Sequence, residues 1–225
     1  MTRPYVLLSW AMSVDGYLDD ATPQRLLLSN AADFDRVDQV RAESDAILIG
    51  ATTIRKDNPR LLVNSAERRA ARVARGLPEY PAKVTITGSG IDPASKFFHT
   101  GGVKLVYCST PAVDKVSAEL DGLATVIDGG DPVDLGAMLD DLGERGIRRL
   151  MVEGGGTIHT QFLAQNLADE IHCAIAPFFV GDSTAPRFVQ PAHFPQDVAH
   201  RMAVEEVRQI GDIVLVRYIA RPVPV

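Results

Sequence analysis

The chain has few residues of the kinds that mark disulfide-rich, metal-binding, nucleic-acid-binding and membrane proteins. Cysteine occurs only twice among 225 residues, at Cys108 and Cys173, which provides neither a disulfide framework nor a zinc spacing. The formal net charge of −6 argues against a nucleic-acid partner, whose phosphates require a basic surface. No apolar run approaches the ~20 residues of a membrane span, and the N-terminus lacks a secretory signal pattern. We therefore expect a cytoplasmic protein without a metal site.

The sequence does contain a regular alternation of strand-like and helix-like segments. Helical spacing of apolar residues predicts helices after Asn30, from Val113 to Leu120, from Pro132 onward, and after the glycines at 154–156. Short apolar runs predict strands at 5–11, 45–49, 83–87, 104–108, 124–127, 149–152, 169–176, 203–209 and 212–219.

The order of these segments predicts an α/β fold. Strands that alternate with helices form parallel sheets, whereas the last two strands are joined by a tight connection at Ile210–Gly211. We expect a single three-layer α/β/α domain over residues 1–225, with a mostly parallel mixed sheet and an antiparallel C-terminal hairpin. Residues 64–82 and 181–200 are predicted to be long loops.

The most informative segment is a strand end followed by Glu153 and three glycines. Without side chains at 154–156, backbone N–H groups can approach a ligand closely, and the following helix N-terminus favours a phosphate. A carboxylate at the rim suits the hydroxyl or N–H groups of a second ligand instead. The alternative is a tight turn without a ligand. A second strand end, Gly50 followed by Ala51, Thr52 and Thr53, opens onto small residues in the same way, as expected where α/β sheets bind ligands.

Several motifs occur in an order that resembles one enzyme family. They lie at 13–16, 45–61, 152–157, 167–171 and 176–181. The chain resembles the pyrimidine reductases of riboflavin biosynthesis, the reductase half of the bifunctional deaminase-reductase proteins, with a dihydrofolate-reductase-like fold. The resemblance implies reduction of the ribosylamino group of a pyrimidine phosphate, of the 5-amino-6-(5-phosphoribosylamino)uracil type, to ribitylamino. NADPH supplies the hydride in this family, so that the protein mainly positions two molecules. A zinc-deaminase motif is absent, which implies a free-standing reductase.

The resemblance also implies which residues form the site, although it identifies no catalytic residue. Glu153, Arg41 and Leu61 match substrate-contacting positions, and Arg41 suits a phosphate because a guanidinium donates two parallel hydrogen bonds. The implied cofactor-binding residues are Ala11, Thr53, Asp57, Gly88, Gly155, Gly156, Thr157, Ile158, His159, Thr160 and Gln161.

The substrate side departs from the family pattern more than the cofactor side. Arg25 and Leu27 stand where the family has a substrate-contacting serine and a tryptophan, and Asn64 replaces an arginine. One phosphate-binding arginine is thus replaced at Asn64, and Arg25 provides another in the substrate site.

Two further expectations concern the partners of the chain. A pocket for the 2′-phosphate of NADPH is expected at Thr87–Gly88–Ser89 or at the basic cluster, which otherwise forms a solvated face. The cluster comprises Arg68, Arg69, Arg72 and Arg75. The family pairs its subunits, and an apolar C-terminal hairpin edge predicts a homodimer. This hairpin edge carries Ile213, Leu215, Tyr218 and Ile219.

Two other functions fit the same segments. The first is a dihydrofolate-reductase-like reductase of another pterin, pyrimidine or natural-product imine. The second, from a different class, is a nucleotide-binding protein without turnover. Glu153 favours an enzyme, because an acidic group beside a phosphate site implies a second ligand.

Overall fold

The computed structural model describes residues 3–22, 24 and 26–220, and these residues form nine strands, seven α-helices and one 3₁₀ turn. The strands are β1 (Tyr5–Ser13), β2 (Ala46–Gly50), β3 (Ala82–Thr87), β4 (Lys104–Cys108), β5 (Thr125–Asp128), β6 (Arg149–Val152), β7 (Glu170–Ala176), β8 (Ala203–Ile210) and β9 (Ile213–Ile219). The helices are α1 (Ala31–Glu43), α2 (Ala51–Asp57), α3 (Ala66–Ala74), α4 (Lys96–His99), α5 (Val113–Glu119), α6 (Leu135–Glu144) and α7 (Gly156–Ala164). Thr110–Ala112 forms the 3₁₀ turn.

The chain divides into two compact units. The first consists of Asp38–Met151 with the N-terminal residues up to Tyr5, and the second of Val6–Val37 with the described residues from Val152 onward. None of the helices in the described part of the chain has the length and apolar character of a membrane-spanning segment.

The first unit contains strands in the order β5-β4-β3-β2-β6. β2 pairs in parallel with β3, β3 with β4, and β4 with β5. Every residue of β2 is buried, as expected for a strand covered on both faces. The core of the first unit includes Ile47 and Ile49 of β2, Ile54 of α2, Phe97 of α4 and Val106 of β4.

The second unit contains strands in the order β1-β7-β9-β8. β1 pairs in parallel with β7, so that Ala11 lies opposite Ala174, and β7 and β8 both pair with β9 in antiparallel fashion. The sheet is therefore mixed, and the expected α/β fold with an antiparallel C-terminal hairpin is confirmed. All nine strands begin and end within two residues of their predicted bounds.

The prediction of helix α1 is also confirmed by its cap. The side-chain Oδ1 of Asn30 accepts a hydrogen bond of 2.9 Å from the Asp33 N–H, which satisfies one of the unpaired donors of the first turn. The same side chain donates to the Ile210 carbonyl at 2.7 Å, so the helix start is attached to the C-terminal hairpin.

The loop predicted at 64–82 is wrong, because it contains helix α3. Ser65 caps the helix by accepting from the Arg68 N–H, and the buried face is provided by Arg72 rather than by an apolar residue. Helix α3 therefore has a buried face without the apolar periodicity by which a helix is predicted from sequence. Residues 181–200 contain no helix or strand, as predicted.

One helix start and two short helices differ from the prediction. Helix α6 begins at Leu135 rather than at Pro132, because Asp134 supplies the cap by accepting from the Ala137 N–H at 3.0 Å. Helices α2 and α4 were not expected. α2 starts directly at the end of β2 and stops at Asn58, which adopts a left-handed conformation with φ of 43°.

The apolar hairpin edge is a further correction. β8 is the outer strand, and Ile213 and Leu215 of β9 are 1% and 0% exposed, so they are already covered within one subunit. The exposed apolar residues of the hairpin are instead Val204, Val207 and Val214.

Candidate functional site

The glycine turn of the second unit connects β6 to the N-terminus of α7. Glu153 is half-buried directly after the strand, Gly154 has a φ of 116°, and the Gly154–Gly155 peptide is cis. Gly155 is the N-cap of α7, and no side chain caps the helix. The first-turn N–H groups of a helix lack intrahelical partners, so this uncapped N-terminus fits an anionic group such as a phosphate.

A second segment of the chain packs against this helix N-terminus. A Cβ at Gly156 would collide with the carbonyl oxygen of Arg187, so glycine is required here by the packing of the protein itself. The Gln190 N–H donates to Thr160 Oγ1 at 2.7 Å, and the same hydroxyl donates to the Gly156 carbonyl at 2.7 Å. The 187–190 segment is therefore attached to the first turn of α7.

His159 is fully buried within this arrangement. Its ring lies 5.0 Å from the Trp10 ring, and Trp10 in turn stacks on Phe188 at 5.4 Å. Burial lowers the pKa of His159 to about 4, so the imidazole is neutral at physiological pH. Because the side chain is enclosed, a contact between His159 and a cofactor would have to involve its backbone. Thr157 and Gln161, in contrast, are exposed on the same helix.

The first unit places the other expected cofactor residues on α2 and beside it. Thr53 is half-buried on the helix, and Asp57 is exposed at its end. The guanidinium of Arg55 donates to the Gly90 carbonyl at 2.9 Å and therefore joins α2 to the turn that contains Gly88. The structure thus brings these three expected residues to one region of the first unit.

The expected substrate residues of the first unit also lie together. Arg41 donates from Nη1 to the Leu62 carbonyl at 3.0 Å, so that its guanidinium is attached to the segment between Leu61 and Asn64. Leu61 is 4% exposed with a φ of 51°, whereas Asn64 is exposed. Arg25 lies outside the described residues, and Ala11 is half-buried on β1 of the second unit.

The basic cluster does not form the solvated face that the sequence indicates. Arg72 is 2% exposed and donates to three carbonyl oxygens, and Arg69 donates to the Val63 and Asn64 carbonyls and to Glu79. Arg68 donates to Asp38 at 3.0 Å. These three arginines are bonded to the protein, which also argues against a 2′-phosphate pocket in the cluster.

Sequence reasoning missed Arg55, Asp38 and Lys83. Arg55 lies in a helix that was not expected. Asp38 accepts from the backbone N–H groups of Asn64 and Ser65, a contact across 26 positions that no local pattern reveals. Lys83 stands at a strand start, where a lysine is usually solvated, yet it is 0% exposed.

Comparison with known proteins decides the family. The family model of the RibD C-terminal domain matches residues 4–216. The chain belongs to this family. It is 35% identical over 212 residues to the 2,5-diamino-6-ribosylamino-4(3H)-pyrimidinone 5′-phosphate reductase of Archaeoglobus fulgidus, covering 93% of this chain and 95% of that protein. The protein of the same name from Methanothermobacter thermautotrophicus is 32% identical, with 96% and 98% covered. Both relatives are named as reductases of a pyrimidinone phosphate, and a nicotinamide cofactor is general for this family of reductases.

Solved structures show the same fold. A pyrimidine reductase-like protein from Corynebacterium diphtheriae superimposes with a TM-score of 0.78 at 21% identity, covering 96% of this chain and 91% of that one. The bifunctional deaminase/reductase from Thermotoga maritima gives a TM-score of 0.76 at 23% identity, but this chain covers only 56% of its length. The dihydrofolate-reductase-like fold that the sequence indicates is therefore confirmed.

Proposed function

We propose that this RibD-family reductase uses NADPH to convert the ribosylamino group of 2,5-diamino-6-ribosylamino-4(3H)-pyrimidinone 5′-phosphate to a ribitylamino group. The observation that carries the proposal is the match along nearly the full length of two reductases named for this substrate. The uracil substrate that the sequence suggested differs at one ring position, where it carries an oxygen in place of the 2-amino group.

The uncapped N-terminus of α7 supports the cofactor assignment. In the proposal, backbone N–H groups of Gly156 and Thr157 donate to a phosphate of NADPH, and the helix dipole favours its negative charge. The other cofactor residues are those that the resemblance implies. The bound nicotinamide would supply a hydride to C1′ of the opened sugar, while the protein aligns the two molecules.

Glu153 is proposed to bind the pyrimidine. A carboxylate only accepts hydrogen bonds, and the diaminopyrimidinone offers it a 2-amino group beside a ring N–H. The uracil offers a ring N–H without the amino group, so it can form one hydrogen bond fewer. Glu153 therefore supports a preference for the diaminopyrimidinone, and Arg41 is proposed to bind the 5′-phosphate of the same substrate together with Leu61, Asn64 and Arg25.

The preference for NADPH over NADH is proposed to depend on Arg55. Its guanidinium is exposed beside the turn at 88–90, where Thr87 Oγ1 accepts from the Gly90 N–H at 3.0 Å and shapes the turn. A cation and a neighbouring hydroxyl from Ser89 suit a 2′-phosphate. The alternative pocket at the basic cluster is disfavoured because Arg68, Arg69 and Arg72 are bonded elsewhere.

Three broader proposals complete this assignment. Both compact units are proposed to form one reductase domain, since the family model spans them. The two buried free cysteines support a cytoplasmic location. A homodimer is proposed through the outer hairpin, where Val204 and Val207 are 61% and 65% exposed on an edge strand that a second copy could cover.

A reductase assay tests the function. Purified protein and NADPH are combined with each of the two pyrimidine phosphates and, in separate reactions, with dihydropterins; NADPH oxidation is followed together with formation of the ribityl product. We expect turnover with both and a kcat/KM roughly ten- to a hundredfold higher for the diaminopyrimidinone, because one hydrogen bond to a charged group contributes about 1.5–3 kcal/mol. A higher value for the uracil contradicts the substrate assignment. Turnover only with dihydropterins, or none at all, contradicts the function.

A further inference from the structure

The segment of residues 60–65 has no regular secondary structure, yet charged side chains hold much of its backbone. Arg41 donates to the Leu62 carbonyl at 3.0 Å, and Arg69 donates to the Val63 and Asn64 carbonyls at 3.0 and 2.7 Å. Each of these bonds comes from a side chain outside the segment. Its conformation is therefore set by its surroundings rather than by local hydrogen bonding.

Asp38 holds the C-terminal end of the 60–65 segment. Its two carboxylate oxygens accept from the backbone N–H groups of Asn64 and Ser65, and Arg68 donates to the same carboxylate at 3.0 Å. The pKa of Asp38 is lowered because these hydrogen bonds outweigh the effect of burial. The carboxylate is consequently ionised at neutral pH.

Lys83 holds the N-terminal end. Its ammonium group is completely buried and donates to the Arg60 carbonyl at 2.7 Å. The Phe97 and Thr100 carbonyls, both at 3.2 Å, and Thr100 Oγ1 are its other acceptors. Thr100 Oγ1 also lies 2.8 Å from the Arg60 carbonyl oxygen. All of these acceptors are neutral oxygen atoms.

Burial and the nearby charges of Lys104 and Arg41 lower the pKa of Lys83 to about 7, so a charged side chain is costly here, and an apolar residue of similar volume could fill the same space. The ammonium group donates a hydrogen bond that fixes the carbonyl of Arg60, which an apolar residue cannot do. The next residue, Leu61, has a φ of 51°, a left-handed conformation that is unfavourable for an L-residue with a side chain. A strong anchor directly before Leu61 keeps it in that conformation.

We propose that Lys83 is a positioning residue for the substrate, because it fixes the Arg60 carbonyl and thereby the 60–65 segment that presents Leu61 and Asn64. This inference rests on the proposed function, in which Leu61 and Asn64 contact the pyrimidine phosphate. Lys83 itself does not touch the substrate. It acts through the backbone of the segment, with Asp38 as the anchor at the opposite end.

The variant Lys83→Met tests this role, and Lys104→Met is its matched control. Lys104 is also a lysine, and it lies directly opposite Lys83 on the neighbouring strand β4. We expect Lys83→Met to raise the KM for the pyrimidine phosphate roughly tenfold, which corresponds to a loss of about 1.4 kcal/mol of substrate binding. The kcat and the NADPH dissociation constant should stay within about twofold. Lys104→Met removes a charge that disfavours the Lys83 ammonium, so it should not raise the KM and should leave kcat and NADPH affinity unchanged.

Hydrogen exchange separates this inference from the proposed function. In protein without ligands, backbone amides of the 60–65 segment should exchange roughly tenfold faster in Lys83→Met than in the parent or in Lys104→Met, because local opening governs exchange. If the parent does not reduce the pyrimidine phosphate, the proposed function fails, while unchanged exchange in Lys83→Met overturns the anchoring role.

A second variant covers the case in which Lys83→Met does not fold. Thr100→Val removes the hydroxyl that contacts both the Arg60 carbonyl and the Lys83 ammonium, at a position near the surface. It should increase the KM about threefold and accelerate exchange of the same amides. An unchanged KM in a folded Lys83→Met or Thr100→Val protein refutes the inference. A KM that rises together with equal losses in kcat and NADPH affinity refutes it as well, because that pattern indicates general structural damage.

Discussion

Replacing Arg72 by methionine should lower the free energy of unfolding by roughly 3–5 kcal/mol. The side chain is 2% exposed, and its guanidinium donates to the Ala42, Ser44 and Pro78 carbonyls at 2.8, 2.7 and 2.9 Å. Hydrogen bonds from a charged donor contribute about 1.5–3 kcal/mol each, and a buried acceptor without a donor costs about 1–3 kcal/mol. Methionine preserves the packing volume, so partial relaxation should keep the loss below the simple sum.

Arg75→Met is the matched control for this variant. Arg75 lies at the end of the same helix and is exposed, so its replacement should change the stability by no more than about 0.5 kcal/mol. Thermal unfolding followed by circular dichroism should show a decrease of roughly 6–20 °C for Arg72→Met, from about 2–4 °C per kcal/mol for a chain of this size.

A loss below about 1 kcal/mol for Arg72→Met would refute the reasoning, because the three carbonyls would then be satisfied without the guanidinium. The ratio of kcat/KM values for NADPH and NADH should be unchanged in this variant. A decrease in that ratio would show that the basic cluster recognises the 2′-phosphate after all.

Four further predictions test the site and the assembly. Glu153→Gln and Arg41→Ala should each lower kcat/KM for the pyrimidine phosphate roughly ten- to a hundredfold, since each removes a charged hydrogen bond. Calorimetric titration should show NADPH affinity within a few-fold of the parent, and a loss of NADPH binding would instead assign these residues to the cofactor. Gly155→Val should abolish NADPH binding while the circular dichroism spectrum is retained, and unchanged affinity would rule out the phosphate site. Arg55→Met should lower the NADPH-to-NADH ratio of kcat/KM about tenfold, because one charged contact to the 2′-phosphate is lost, whereas an unchanged ratio places that phosphate elsewhere. Light scattering at micromolar concentration should give a dimer mass for the parent and a monomer mass for Val207→Asp, and a monomeric parent contradicts the dimer.

The strands could be predicted from the sequence because each is a short apolar run with a clear end. β2 and β6 are entirely or almost entirely buried, so their residues had to be apolar along their whole length. Helix α1 was recognisable from its cap, since Asn30 forms the hydrogen bond that its position suggests. These signals are local, so they can be recognised in the sequence without knowledge of the tertiary contacts.

Helix α3 could not be predicted, because its buried face depends on a residue type that ordinarily lies at the surface. Arg72 is inside, and its acceptors are backbone carbonyls as far as thirty positions away. The same reason hides Lys83, whose acceptors come from positions 60, 97 and 100. The sequence does not indicate which backbone carbonyls accept hydrogen bonds from a side chain, so a buried cation can be identified only when the fold is known.

The glycine run shows how a single motif can combine a ligand signal with structural requirements. Gly154 has a φ of 116°, and a Cβ there would lie 3.2 Å from the His159 ring, so its glycine is explained by backbone conformation and crowding. Gly156 is explained by the approach of the Arg187 carbonyl. Gly155 is left as the cap of a helix that no side chain caps. Substitutions at the first and third positions should therefore act partly through the fold, and only a substitution at Gly155 separates the loss of a bound phosphate from damage to the turn.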